Sequence, residues 1–255
     1  MAHISPLDMD GHPELQPVFA TAAAAMGFVP NSTRTMAHMR QLPFVFSALF
    51  GTIMGGDAKA IFAGLQEVLP EQNAAEENLP AELLQLIAYC VSLSAGCRYC
   101  QAHTGHNTER VSGAPELQAE RLAQVLNYET ATCFSAAERA AIGLALAAGQ
   151  VPNASGSEHF AQLRPHFSER QQVQIVAVIS LFGFLNRWND TLATTLEQAP
   201  IDFAKQTLCT RPLAPPAVQP AMALRAERTL TSPRSIRPAP GRSTSRRRAR
   251  TAGIR

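Results

Sequence analysis

Cys97, Cys100 and His103 follow one another at steps of three in the run Ala95-Gly96-Cys97-Arg98-Tyr99-Cys100-Gln101-Ala102-His103. On a helix, at about 100° per residue, they occupy adjoining parts of one side. Two thiols at this spacing close a disulfide with little backbone movement. A cysteine at a helix N-terminus also has its thiolate stabilised by the free N–H groups and the macrodipole. A histidine one turn further on holds or passes a proton for the reacting sulfur. The chemistry these residues suggest is thiol redox. Two other readings stand beside it. His106 extends the series and invites a zinc assignment. On a continuous helix, however, each step of three rotates by about −60°, so four such side chains fan over about half the circumference and cannot meet one tetrahedral ion. The third reading is a structurally neutral pair, since a lone Cys-x-x-Cys has only moderate specificity. Thiol chemistry requires no metal, haem or nucleotide, and no Gly-rich phosphate loop is present, so the expectation is no cofactor.

The elements that must position these residues read as helices. Pro80 starts a helix over Ala81 to Ser94, with apolar Leu83, Leu84, Leu86, Ile87, Val91 and Leu93. Gly96 breaks it, and the cysteine helix begins there, which puts Cys97 at an N-terminus. Before this lie a short helix from Pro17 to Met26, ended by Gly27, and a helix opened by Pro43 that stumbles at Gly55-Gly56 and resumes to Val68. Residues 71–78 form an acidic loop. After the cysteine helix, Pro115 starts a run to about Tyr128. Ser135 with Glu138 is a capping-box pattern for Ala136 to Ala148, and Ser168 with Gln171 repeats it before an apolar helix to Phe182. Gly183 then separates a polar helix, Asn186-Arg187-Trp188-Asn189-Asp190-Thr191. His159 and His166 read as surface residues.

A shift of 88 residues aligns Leu86–Leu93 with Gln174–Leu181, placing Ile87 on Ile175, Ser92 on Ser180 and Leu93 on Leu181. Helix, glycine break and second helix recur in that order, so a pseudo-duplication and a chance similarity of two apolar helices both fit. Only the first half carries the dithiol. Beside the second apolar helix, Asn186, Arg187, Trp188 and Asp190 make a polar-aromatic cluster. One reading is a helix end with an internal ion pair and an anchoring ring. The other has Trp188 wall a pocket over the dithiol while Asp190 or Arg187 tunes it.

A chain of 255 residues with 46% apolar and only 6% aromatic residues, rich in alanine and leucine, suits packed helices in one good core or two small ones. The net charge of +2 conceals a split: residues 205–255 hold twelve Lys or Arg against Glu227 alone, and the remainder is acidic. From about Leu208 the composition turns to Pro, Arg, Ala, Ser and Thr, which cannot bury enough apolar surface to offset its ordering entropy. The expected organisation is a flexible N-terminus at 1–16, a helical domain at 17–205 and a disordered basic tail at 206–255. Without aromatics the tail offers nucleic acid only weak, non-specific phosphate attraction. No apolar stretch approaches about 20 residues and no export signal is seen, so a soluble cytoplasmic protein without membrane contact is expected. Five cysteines without framework spacing fit a reducing compartment. Cys90 and Cys133 read as small buried hydrophobes.

The run Leu86-Ile87-Ala88 through Val91-Ser92-Leu93-Ser94-Ala95-Gly96-Cys97-Arg98-Tyr99-Cys100-Gln101-Ala102-His103-Thr104 resembles the carboxymuconolactone decarboxylase superfamily, and within it the alkyl hydroperoxidase D-like, peroxidase-related branch. Met26-Gly27-Phe28-Val29-Pro30-Asn31-Ser32 is similar to that branch's entry segment. The resemblance spans about residues 20–205 and implies an all-α bundle, homo-oligomers and a peroxide-reducing dithiol reset by an external dithiol reductant. It implies Cys100 as the attacking thiol and Cys97 as the resolving one, with His103 relaying the proton. Two positions depart from the pattern. The relay glutamate expected twelve residues before the first cysteine is Gln85, whose amide exchanges no proton at neutral pH; Glu82, one turn earlier, is a possible substitute or a plain solvated first-turn carboxylate. The histidine that the best-known members carry four residues after the second cysteine is Thr104 here, and His103 sits at plus three, a placement also found in the peroxidase-related branch. Rival expectations are a lactone-opening decarboxylase, which needs no thiols, and a non-catalytic redox sensor.

Overall fold

Apolar residues with helical spacing, first-turn prolines, and a few side-chain and glycine caps generate eleven α-helices in the computed structural model, which describes residues 2–208. They are α1 (Gln16–Met26), α2 (Asn31–Met36), α3 (Leu42–Ile53), α4 (Ala58–Val68), α5 (Ala81–Ala95), α6 (Arg98–Ser112), α7 (Pro115–Gln124), α8 (Ala136–Ala148), α9 (Ser157–Leu163), α10 (Glu169–Leu192) and α11 (Gln198–Phe203). Short 3-10 turns occupy Pro13–Leu15, Ala75–Glu77 and Val125–Asn127, and a π turn occupies Ala204–Leu208. Among the described residues there is no strand, and no helix is long and apolar enough to cross a membrane. The fold is all-α, as expected. Apart from residues 206–208, the basic tail lies outside the described residues.

The centre is α5. Leu83, Leu86, Ile87, Tyr89, Cys90 and Val91 are all buried, so this helix is covered on most of its circumference. It packs against α6, α8 and α10. The facing residues include Ile142, Leu144 and Ala145 of α8 and Val173, Ile175 and Ile179 of α10. Full burial of one such side chain is worth about 1.5–3 kcal/mol, so truncating Leu86 alone would cost about 2–5 kcal/mol once the cavity is included. The start of α5 is tied to α10 by polar contacts. The Gln174 Oε1 accepts the Leu79 N–H (3.0 Å), and Arg170 donates to Gln174, the Glu77 carbonyl and Asn78. The capping boxes at Ser135/Glu138 and Ser168/Gln171 form as their spacing predicts.

A second small cluster, Leu15, Val18, Phe19, Ala37 and Phe44, joins α1, α2 and α3. Residues of the N-terminal segment also touch the helical domain. Leu15 is wholly buried, Ile4 joins the main core, and Arg34 Nε donates to the Leu7 carbonyl at 2.8 Å. The α3–α4 pair leaves Val45, Phe46, Leu49, Phe50, Ile53 and Phe62 exposed.

The expected break at Gly183 does not occur: α10 runs 24 residues straight through it. A lone glycine inside a helix costs only about 1 kcal/mol relative to alanine, and the helix continues past it to place Asn189 against Cys100. The internal echo of the two halves therefore does not extend to the chain reversal.

Candidate active site

The thiols sit where α5 turns into α6. Gly96 takes φ +79°, the left-handed conformation that glycine reaches without a Cβ penalty. The Cys97 N–H returns to the Ser92 carbonyl at 3.1 Å, the six-to-one bond of a Schellman ending. Cys97 is at the same time the N-cap of α6, with its Sγ accepting the Cys100 N–H at 3.5 Å. Gln101 Nε2 donates to the same Ser92 carbonyl at 3.2 Å and braces the turn. Both cysteines are free thiols in the structure, 0% and 3% exposed. The sequence expectation that Cys97 stands at a helix N-terminus agrees with this geometry.

Polar partners reach the sulfurs from α10. Asn189 is buried, and its Nδ2 donates to Cys100 Sγ at 3.4 Å and to the Leu185 carbonyl at 2.9 Å. Hydrogen bonding from the Cys97 thiol, with help from Asn189, holds the Cys100 thiol below its ordinary acidity range against the opposing pull of burial and of the Asp190 charge. Cys97 moves the other way: its hydrogen bond to Cys100, then burial and contact with Asp190, keep it protonated. Of the two thiols, Cys100 is therefore the one whose ionisation the surroundings favour. Cys90 is pushed up by burial alone and is inert.

His103 lies one turn beyond Cys100. Its Nε2 is 2.7 Å from Glu197 Oε2, and the Tyr99 hydroxyl donates to Glu197 Oε1 at 3.1 Å. The Tyr99 and His103 rings lie 4.4 Å apart. Glu197 is the N-cap residue of α11. That helix docks on α6 through Phe203, whose ring would stand 2.7 Å from a Cβ at Gly105 and meets His106 edge-on at 5.9 Å. His106 is therefore engaged away from the thiols, and no group of three or more potential metal ligands occurs among the described residues.

Gln85 occupies α5 three turns before the thiols, with its Oε1 buried and without a partner. Glu82 is half-buried in the first turn of α5. Of the polar-aromatic cluster on α10, Asp190 does act on the sulfurs, whereas Trp188 is 56% exposed and packs on Phe184 at 6.0 Å. Sequence reasoning missed two residues, Asn189 and Glu197. Asn189 could have been found from its place one turn after Asn186 on the inward face of a helix. Glu197 carries no local signal.

No protein-family model matches the chain, and no curated protein does. Among solved structures, the chain is similar to the debrominase Bmp8 in its apo form, at 30% identity, covering 80% of this chain and 97% of that one, with a TM-score of 0.49. The resemblance of the motif at the α5–α6 turn to the carboxymuconolactone decarboxylase superfamily stands beside this likeness. It is also similar to an uncharacterised peroxidase-related protein from Silicibacter sp. TM1040, at 24% identity, covering 77% and 93% of the two chains, TM-score 0.42. An alkylhydroperoxidase-core, peroxidase-related protein from Ralstonia eutropha JMP134 is 21% identical, covering 79% and 95%, TM-score 0.43.

Proposed function

We propose that the protein is a member of the carboxymuconolactone decarboxylase superfamily, in its alkyl hydroperoxidase D-like branch, and an oxidoreductase that reduces peroxides through Cys97 and Cys100. The observation that carries the reading is the hydrogen bond that Asn189 Nδ2 donates to the buried Cys100 Sγ at 3.4 Å, one turn past Cys97 at the start of α6, which favours a thiolate there. The thiolate attacks one oxygen of the peroxide and the O–O bond breaks. The sulfur becomes a sulfenic acid, two electrons pass to the peroxide, and the leaving alkoxide or hydroxide takes a proton to become alcohol or water. The Cys97 sulfur then bonds to Cys100, and water leaves with the sulfenic oxygen. An external dithiol reduces the disulfide by exchange and returns both thiols, which suits a reducing compartment such as the cytoplasm.

The test is turnover of cumene hydroperoxide with dithiothreitol as reductant. Wild-type protein should turn over many times, and the Cys97→Ser, Cys100→Ser double variant should not. Full turnover without the two thiols would end the dithiol peroxidase reading. A single stoichiometric oxidation followed by a stall would point to a sensor. A second reading comes from the 30% identical debrominase: removal of bromine from an organobromine substrate. Release of bromide from a brominated pyrrole, with no peroxide consumption, would favour it.

The exposed apolar residues of α3 support a homo-oligomer in which Phe46, Phe50 and Ile53 meet a second copy. Light scattering should show an oligomer that Phe50→Glu with Ile53→Glu dissociates; a monomeric wild type would overturn this.

A further inference from the structure

A peroxide reaction needs a proton at the leaving oxygen, and a carboxylate at position 85 is absent. A carboxylate reaches His103 from another part of the chain. Glu197, from the turn between α10 and α11, spends both of its oxygens on α6: Oε2 lies 2.7 Å from His103 Nε2, and Oε1 accepts the Tyr99 hydroxyl at 3.1 Å. Tyr99 lies between the two cysteines in sequence, and His103 one turn past Cys100. The carboxylate thus grips the outer side of the same two helical turns that bear the dithiol.

Its own position is well anchored. Glu197 caps α11, with the Ile201 N–H on its carbonyl at 3.1 Å, and Pro200 and Phe203 of that helix are buried. Phe203 seats on α6 where Gly105 has no side chain. Backbone hydrogen bonding at the helix start, followed by His103, holds the Glu197 carboxyl below the usual range, so it is ionised at neutral pH.

We propose that Glu197 is the positioning carboxylate for His103 in peroxide reduction, supplying from the α10–α11 turn the role that Gln85 cannot fill. It fixes the imidazole's orientation through Nε2–H and stabilises the imidazolium form. The imidazolium then delivers its Nδ1 proton to the alkoxide as the O–O bond breaks, and the neutral ring regains one from solvent. Tyr99 holds the second carboxylate oxygen, so that Glu197 keeps one orientation. This rests on the peroxidase reading.

The experiment compares single-turnover oxidation of Cys100 in wild type, Glu197→Gln, Glu197→Asp and His103→Gln with three reagents that differ in their leaving groups. Cumene hydroperoxide expels an alkoxide that needs a proton. Peracetic acid expels acetate and iodoacetamide expels iodide, and neither needs one. Glu197→Gln should slow cumene hydroperoxide by about 10- to 100-fold, within or just below the range of a general acid's contribution, and the other two reagents by less than about threefold. Glu197→Asp should recover part of the loss. Glu197→Gln with His103→Gln should be no slower than His103→Gln alone, because both act on one proton. Thermal midpoints of the variants show that the fold is intact. An equal loss with all three reagents, or no loss with any, overturns the positioning role while leaving peroxide reduction by the wild type in place. A wild type inert to both peroxides but alkylated normally overturns the peroxidase reading, and this inference with it.

Discussion

Replacing Asn189 by alanine removes one of the two hydrogen bonds that lower the acidity range of Cys100, and the size of the effect follows from the geometry. The Nδ2 to Sγ contact is 3.4 Å, in a place where both residues are buried. A hydrogen bond to a charged group is worth about 1.5–3 kcal/mol, or about 10- to 100-fold in the stability of the thiolate. The Cys97 hydrogen stays in place, so the lower end is the more relevant. A more basic thiolate is also a better nucleophile, with a Brønsted slope of about 0.4–0.5. The two effects oppose each other and leave a net slowing of about three- to fifteen-fold at pH values below the midpoint. Above it, where both proteins are ionised, the variant should match or exceed the wild type. The assay is stopped-flow alkylation by iodoacetamide from pH 5 to 10, with mass spectrometry of the peptide bearing Cys100. The wild-type inflection should fall below about 8.5, the value of a model thiol, and the two curves should cross. A wild-type inflection at or above 8.5, or parallel curves without a crossing, would refute the account of Cys100 activation.

Three further outcomes follow from other parts of the molecule. Asn186 is 3% exposed and neither amide atom has a partner; an unsatisfied buried amide costs about 1–3 kcal/mol. Asn186→Leu should therefore raise the thermal midpoint by about 2–4 °C per kcal/mol recovered, and a fall would show that the amide is engaged in solution. Gly105→Ala should push Phe203 off α6, lowering stability by about 1–3 kcal/mol and slowing cumene hydroperoxide more than iodoacetamide, since α11 carries Glu197. Deleting residues 209–255 should leave helicity by circular dichroism and peroxide turnover unchanged while reducing any salt-sensitive retention on nucleic acid; loss of folding would place part of the core in the tail.

What was legible in the sequence was local. Gly96 announces a chain reversal, Cys97 inherits the N-cap beside it, and the Ser135/Glu138 and Ser168/Gln171 boxes mark where α8 and α10 begin, because each signal lies within one helical turn. Gly183 misled for the same reason. A glycine inside an apolar helix looks like a break locally, and only the packing of α10 on α5 and α6 shows that it is not one. Glu197 lies 94 residues from His103. No pattern of spacing could pair them, since the turn before α11 is brought to α6 by the fit of Phe203 over Gly105. Gln85 showed that a carboxylate was missing but not where another would come from. Trp188 drew attention by its size, yet the smaller Asn189 beside it faces the sulfur.

The uninterrupted length of α10 makes it a measuring rod for the thiol site. Gln174 grips the backbone just before α5, and Asn189 grips Cys100 just after it. The 15 residues from one to the other span about 22 Å, and the 15 residues of α5 cover about the same distance. Both ends can be held only while the two lengths agree. Inserting one residue between Gln174 and Asn189 would lengthen the rod by just 1.5 Å but swing its far end by about 100°. Asn189 would leave the sulfur while Gln174 kept its hold, and a helix still intact along its whole length would no longer be calibrated to the chemistry at its end.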